Sequence, residues 1–147
     1  MQVYELCYLI LPSVAEDALS SVVDKIKEAI SKSEGKDFDS EIPFKHPLSY
    51  QMSKSVGASK YVVNDAYIGW IKFEIEISKI VDIEVDMKKI SEVLRFIIVK
   101  APRKTEFTFA KAKATMRAKE EKEREVSEPT EAVAAEPAEE VKEVVVE

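Results

Sequence analysis

The sequence predicts an α+β domain with the order β-α-β-β-α-β: a four-stranded antiparallel sheet with two helices on one face. Three observations predict it. Tyr67 to Ile77 alternates cleanly, with Tyr67, Ile71, Phe73, Ile75 and Ile77 on one side, Gly69 between them, and Ile68, Trp70, Lys72, Glu74 and Glu76 on the other. That period of two is the mark of a strand with one side on a core. Two stretches of helical period, one before it and one after it, are each flanked by strand-like runs. Two β-α-β halves joined through right-handed crossovers place both helices on the same face and put the first and third strands at the centre.

Taken in order, Val3 to Leu11 reads as the first strand, with Tyr4, Leu6, Tyr8 and Ile10 alternating against Glu5, Cys7 and Leu9 until Pro12 stops it. Ser13-Val14-Ala15-Glu16 has the spacing of a capping box, and a helix is predicted from there to about Ser33. Its apolar side is Ala18/Leu19, Val22, Ile26 and Ala29/Ile30, and Gly35 is placed to end it. Glu41 to Lys54 reads as an edge strand or one that enters the sheet late, because Pro43 and Pro47 donate no backbone hydrogen bond, with Leu48–Met52 as its paired part. Ser55 to Asp65, containing Gly57 and ending in Asn64-Asp65, reads as a loop. Ser78 to Lys89 is rich in β-branched residues that favour strands, yet Ile80, Ile83 and Met87 keep helical spacing, so a helix is predicted. Arg95 to Lys100 is the closing strand, and Pro102 ends the domain.

Charge is segregated along the 147 residues. The balance is −3 over residues 1–100, +5 over 101–119 and −8 over 120–147, for a net −6. The predicted organisation is therefore a folded domain at 1–102, a charged extension at 103–125 that could form a solvated helix, and an acidic, disordered tail at 126–147. The single cysteine, Cys7, allows no internal disulfide and fits a reducing cytoplasm. Met1–Glu5 lacks the layout of a secretion signal, and no run is long enough to cross a membrane.

Catalysis has little to work with. His46 is the sole histidine, and no acid is placed near it in sequence to orient it as a base. Cys7 has no cationic neighbour, no second Cys or His completes a zinc site, and three glycines cannot build a phosphate-cradling loop. The expectation is no enzyme, no cofactor and no metal. A binding role has more behind it. Lys45, His46, Tyr50 and Lys54 fall on the second strand, Trp70 and Lys72 on the open side of the third, and Arg95 and Lys100 bracket the fourth. Cations attract phosphate and rings stack on bases, and a sheet face commonly presents both.

Four motifs in order resemble one family. Tyr4-Glu5-Leu6 followed by Leu11-Pro12 looks like its opening strand, and Lys45-His46-Pro47-Leu48-Ser49-Tyr50-Gln51-Met52-Ser53-Lys54 is similar to its basic second-strand segment. Tyr67–Glu74 with Trp70 matches its aromatic third strand, and Val93–Lys100 its closing strand. The family is the bacterial-type ribosomal protein S6 of the small subunit. The resemblance implies a ferredoxin-like fold, no catalysis, and a structural role on the ribosome in the cytoplasm. It implies binding to the central domain of small-subunit rRNA together with ribosomal protein S18, with no membrane and no small-molecule substrate. By motif match the resemblance implies Tyr4, Lys45, His46, Tyr50, Lys54, Arg95 and Lys100 as candidate RNA or partner contacts, joined by Trp70 and Lys72 as candidates on the open strand face. Two other readings suit the same fold. One is a small-molecule regulatory module acting as a homodimer. The other is an acylphosphatase-type enzyme, which needs a phosphate-gripping Arg where Pro12–Glu16 has none.

Overall fold

In the computed structural model, which describes residues 1–104 and 108–127 (123–127 as backbone alone), the two alternating stretches become the central strands. β1 (Gln2–Ile10) runs antiparallel to β4 (Ser59–Ile75), in register from Gln2↔Ile75 to Ile10↔Tyr67. Its other edge pairs with β5 (Val93–Lys100). The outer edge of β4 is shared by two partners. β2 (Lys36–Ser40) pairs with its final third, and β3 (Phe44–Val56) with its first ten residues. The sheet thus has five strands where four were expected. The break between β2 and β3 falls at Glu41-Ile42-Pro43, where proline has no N–H to offer β4.

α1 (Glu16–Lys32) buries Leu19, Val22, Ile26, Ala29 and Ile30. α2 (Ile80–Lys89), entered through a 3-10 turn at Ile77–Lys79, buries Ile83 and Met87. These side chains pack with Leu6, Tyr8 and Ile10 of β1 and Tyr67, Ile71, Phe73 and Ile75 of β4 in one core, so both helices cover one sheet face as predicted. Each fully buried aliphatic chain in it contributes about 1.5–3 kcal/mol. Helical spacing prevails over β-branching in α2 because Ile83 and Met87, four residues apart, reach the same core. Ile77 lies outside that core and is exposed, since the chain has already left the strand.

Gly69 has a specific reason. It faces Tyr8 across the central pair, and a Cβ there would lie 2.6 Å from the Tyr8 hydroxyl. The tyrosine ring occupies the space a side chain would need.

Four local expectations are corrected. The capping box does not form: the N-cap is Ala15, without a side-chain hydrogen bond, and Ser13 sits in the preceding turn. Glu16 and Asp17 instead place negative charge in the first turn, where the helix dipole favours it. At the other end, Glu34 rather than Gly35 takes the left-handed conformation (φ 62°). Gly35 N–H reaches Ile30 O at 2.9 Å and Glu34 N–H reaches Ser31 O at 3.0 Å, the pair of bonds that closes a helix C-terminus. Residues 55–65 are a β-hairpin and not a loop: Val56 and Ser59 face each other across Gly57-Ala58, with Gly57 at φ 61° as a tight hairpin turn demands. Finally, Leu48–Met52 is not the paired part of its strand. Pairing holds from Phe44 to Pro47 and from Met52 to Val56, and residues 48–51 bulge outward opposite Asn64 alone.

The chain divides into two compact units, Met1–Thr108 and Phe109–Glu147. In the second, α3 (Phe109–Ser127) is a 19-residue helix whose described side chains are almost all exposed. Residues 128–147, most of the stretch read as an acidic tail, lie outside the described residues.

Candidate nucleic-acid interface

Strand register sorts the predicted contact residues onto two sides. His46 faces Ala66, Arg95 faces Leu9, Trp70 faces Cys7 and Lys72 faces Glu5, all on the side away from the helices. Tyr4 faces Phe73 and Lys100, Lys45 faces Tyr67, and Lys54 faces Tyr61, all on the helix side. A single flat contact cannot use both groups.

On the open side the structure brings Tyr50 and Arg95 together, 45 residues apart in sequence. The bulge in β3 is what aims Tyr50. Leu48 and Met52 turn inward to a small second core of Leu11, Ala66 and Leu94, and Tyr50 between them is 58% exposed. Arg95 Nη1 donates to the Tyr50 hydroxyl at 3.1 Å, and its guanidinium carbon lies 5.9 Å from the ring centroid. Arg95 has no carboxylate partner among the described residues. The arrangement is an exposed ring with a planar cation beside it, which suits stacking on a base and gripping a phosphate. His46 is exposed on the same side, edge-on to Phe44 with centroids 6.1 Å apart.

Trp70 and Lys72 were expected to be open and are not: they are 4% and 1% exposed. Trp70 Nε1 donates to Glu41 Oε2 at 2.6 Å, and Lys72 Nζ lies 5.9 Å from the indole centroid and 4.0 Å from Glu5 Oε2. The β2–β3 break swings Glu41 onto the indole. Alternation told which side these residues face, and only the neighbouring strand decides whether that side is covered. Both act as framework beneath a surface, and neither is free to take a ligand directly.

The helix-side lysines are engaged as well. Lys45 pairs with Asp65 at 3.1 Å, and the hydrogen bond to that carboxylate holds its ammonium above the usual lysine value. Lys54 donates to the backbone carbonyls of Ile90 (3.2 Å) and Val93, and burial holds it below that value. Tyr4 stacks on Phe73 with centroids 6.2 Å apart, and Lys100 is exposed at the strand end. One cation that sequence reading passed over is Lys60, exposed on the outward side of the β3–β4 hairpin and without an ion-pair partner among the described residues. A signal was present: residues 42–63 contain three lysines and no Asp or Glu, in a chain with 28 acidic residues.

Reactive chemistry is not favoured here. Burial, and then the hydrogen bond to Glu5 and its charge, push the Cys7 thiol up to about 12, so it is no thiolate near neutrality. No helix among the described residues is long and apolar enough to cross a membrane.

Comparison with known proteins bears on the family and the fold. Residues 3–100 match the family model of ribosomal protein S6, an interval that runs from the second residue of β1 to the last of β5. A 51-residue stretch is 37% identical to the small ribosomal subunit protein bS6 of Prochlorococcus marinus, spanning 35% of this chain and about a third (33%) of that relative. The crystal structure of the 30S ribosomal protein S6 of Thermotoga maritima superposes with a TM-score of 0.56 at 18% identity, over 80% of this chain and 97% of that one. At that identity the likeness speaks for the fold.

Proposed function

This chain belongs to the ribosomal protein S6 family, and from that premise we propose that it is a structural, non-catalytic constituent of the small ribosomal subunit in the cytoplasm. It binds the central domain of small-subunit rRNA, together with ribosomal protein S18. The observation that carries this reading is the match over residues 3–100, which takes in every strand and both packed helices. The Tyr50–Arg95 pair supplies the contact chemistry: the guanidinium neutralises phosphate, and the ring and cation offer flat faces to an unstacked base. His46 and the upper end of β5 extend the same side, and buried Trp70 and Lys72 hold it rigid. Lys45, Lys100 and Tyr4 border the helix side, where a protein partner is the better fit. Nothing in the comparisons supports the small-molecule regulatory homodimer.

The test is binding of the full chain, with S18, to a central-domain rRNA fragment across a salt series. Affinity falls with salt, by roughly 0.7–0.9 log units per decade for each phosphate contact. Arg95→Gln lowers that slope by about one contact's worth, while Tyr50→Ala weakens binding with the slope retained. If the wild-type chain and S18 ignore the fragment at low salt, the reading fails.

A further inference from the structure

The β3–β4 hairpin has two unlike sides. Met52↔Val63, Lys54↔Tyr61 and Val56↔Ser59 pair on one, where Met52, Lys54, Val56 and Val63 are half-buried. Ser53↔Val62 and Ser55↔Lys60 pair on the other, and all four are exposed. By alternation along β4, Lys60 shares the side of Ile68, which faces Leu9 opposite Arg95. The arm belongs to the 22-residue run, 42–63, that lacks any carboxylate of its own, and Lys60, unlike Lys45 with its Asp65, has no ion-pair partner among the described residues, so a phosphate arriving there displaces none of them. Lys54 is placed otherwise. Its ammonium reaches the carbonyls of Ile90 and Val93, 36 and 39 residues on, and so ties the arm to the turn between α2 and β5. That turn leads directly into Arg95.

We propose that the arm's two lysines have opposite duties: Lys60 contacts RNA phosphate, and Lys54 is a positioning residue that fixes the arm, with Lys60 and Tyr50, against the start of β5. The assignment rests on the rRNA reading above. It also reverses the expectation from motif match, in which Lys54 is itself a contact.

Salt dependence separates the duties, because only a residue that displaces counterions from phosphate changes the slope. With the full chain, S18 and a central-domain rRNA fragment, Lys60→Gln lowers the slope of log affinity against log salt by about 0.7–0.9. Lys54→Met weakens binding several-fold at an unchanged slope, and Lys54→Arg, which still donates to two carbonyls, restores it. Because Lys54 acts through the arm, Lys54→Met adds little further loss to a Tyr50→Ala/Lys60→Gln background. Without RNA, amides of the 52–56/59–63 pairing exchange faster in Lys54→Met and recover in Lys54→Arg. An unchanged slope in Lys60→Gln overturns the first duty. A lowered slope in Lys54→Met, fully multiplicative losses, or unaltered amide exchange overturns the second. If wild-type protein fails to bind, the ribosomal reading and the Lys60 duty fall together, and amide exchange alone decides Lys54.

Discussion

Gly69→Ala is the sharpest test of the packing that fixes the sheet. The added methyl would lie 2.6 Å from the Tyr8 hydroxyl, 2.7 Å from Cζ and 2.9 Å from Cε2. Comfortable carbon contacts lie at about 3.5–4.0 Å, so the shortfall is about 1 Å. Neither partner can yield cheaply. Tyr8 is 1% exposed, and both residues belong to the central strand pair under the helices. Overpacking of this kind costs roughly 1–3 kcal/mol, and replacing a strand glycine returns about 0.5–1 kcal/mol of chain entropy. With neither partner able to yield, the upper part of the overpacking range applies, roughly 2–3 kcal/mol, and the expected net loss is about 1–2.5 kcal/mol. With an m-value of about 2 kcal/mol/M the urea midpoint falls by roughly 0.5–1.25 M at constant slope. Urea unfolding followed by far-UV circular dichroism and by the fluorescence of Trp70, the single tryptophan, gives the number. Tyr8→Leu removes the ring, so the double variant loses less than the two single losses added, by about 1 kcal/mol. A neutral Gly69→Ala, or strict additivity with Tyr8→Leu, refutes the steric account.

Four further outcomes follow from the same structure. Tyr8→Phe removes a buried hydroxyl that has no hydrogen-bond partner among the described residues, and it raises stability by about 1 kcal/mol in the same urea assay; a loss would mean the hydroxyl is satisfied. Glu34→Gly relieves a left-handed non-glycine residue at the end of α1 and raises the thermal midpoint by roughly 2–6 °C, whereas an unchanged or lower midpoint would show that Glu34 is unstrained or that its Lys79 pairing matters more. Native Cys7 reacts with thiol reagents about a thousandfold more slowly than in the urea-unfolded chain at pH 8, and equal rates would deny its burial beside Glu5. Lys79, Lys89 and Lys25 hold the carboxyls of Glu34, Asp86 and Glu92 below their ordinary range. Since folded-state values are depressed, their contribution is complete above the unfolded carboxylate pKa of about 4 and is lost as pH falls through the lowered values. The urea midpoint is therefore level from pH 7 to about 5 and declines below about 4. The triple amide variant shows a shallower decline; an identical profile would exclude these groups.

Parts of the candidate site were visible in the sequence and parts were not, for reasons particular residues make plain. Tyr50 and Arg95 stand out by residue type and motif, but their pairing depends on the four-residue bulge between Pro47 and Met52, where the register of β3 against β4 shifts. Lys54 reads as a contact from its motif and from the basic cluster on its strand, yet two carbonyls 36 and 39 residues away claim it. Lys60 was overlooked because its segment read as a loop. An arm exposed on one side and half-buried on the other has too few buried positions to display a period of two.

By itself the sequence determined the two central strands, the two helices, the face they cover and the family motifs along residues 3–100. Each of these is written in a short-range period: two for a strand, 3.6 for a helix, with burial following from it. Only the tertiary structure decided that two strands divide one edge of β4, that Glu41 closes over Trp70, and that ring and guanidinium meet at Tyr50 and Arg95. Those outcomes depend on which distant segments become neighbours, and a local pattern of apolar and polar residues carries no record of what will lie across from it.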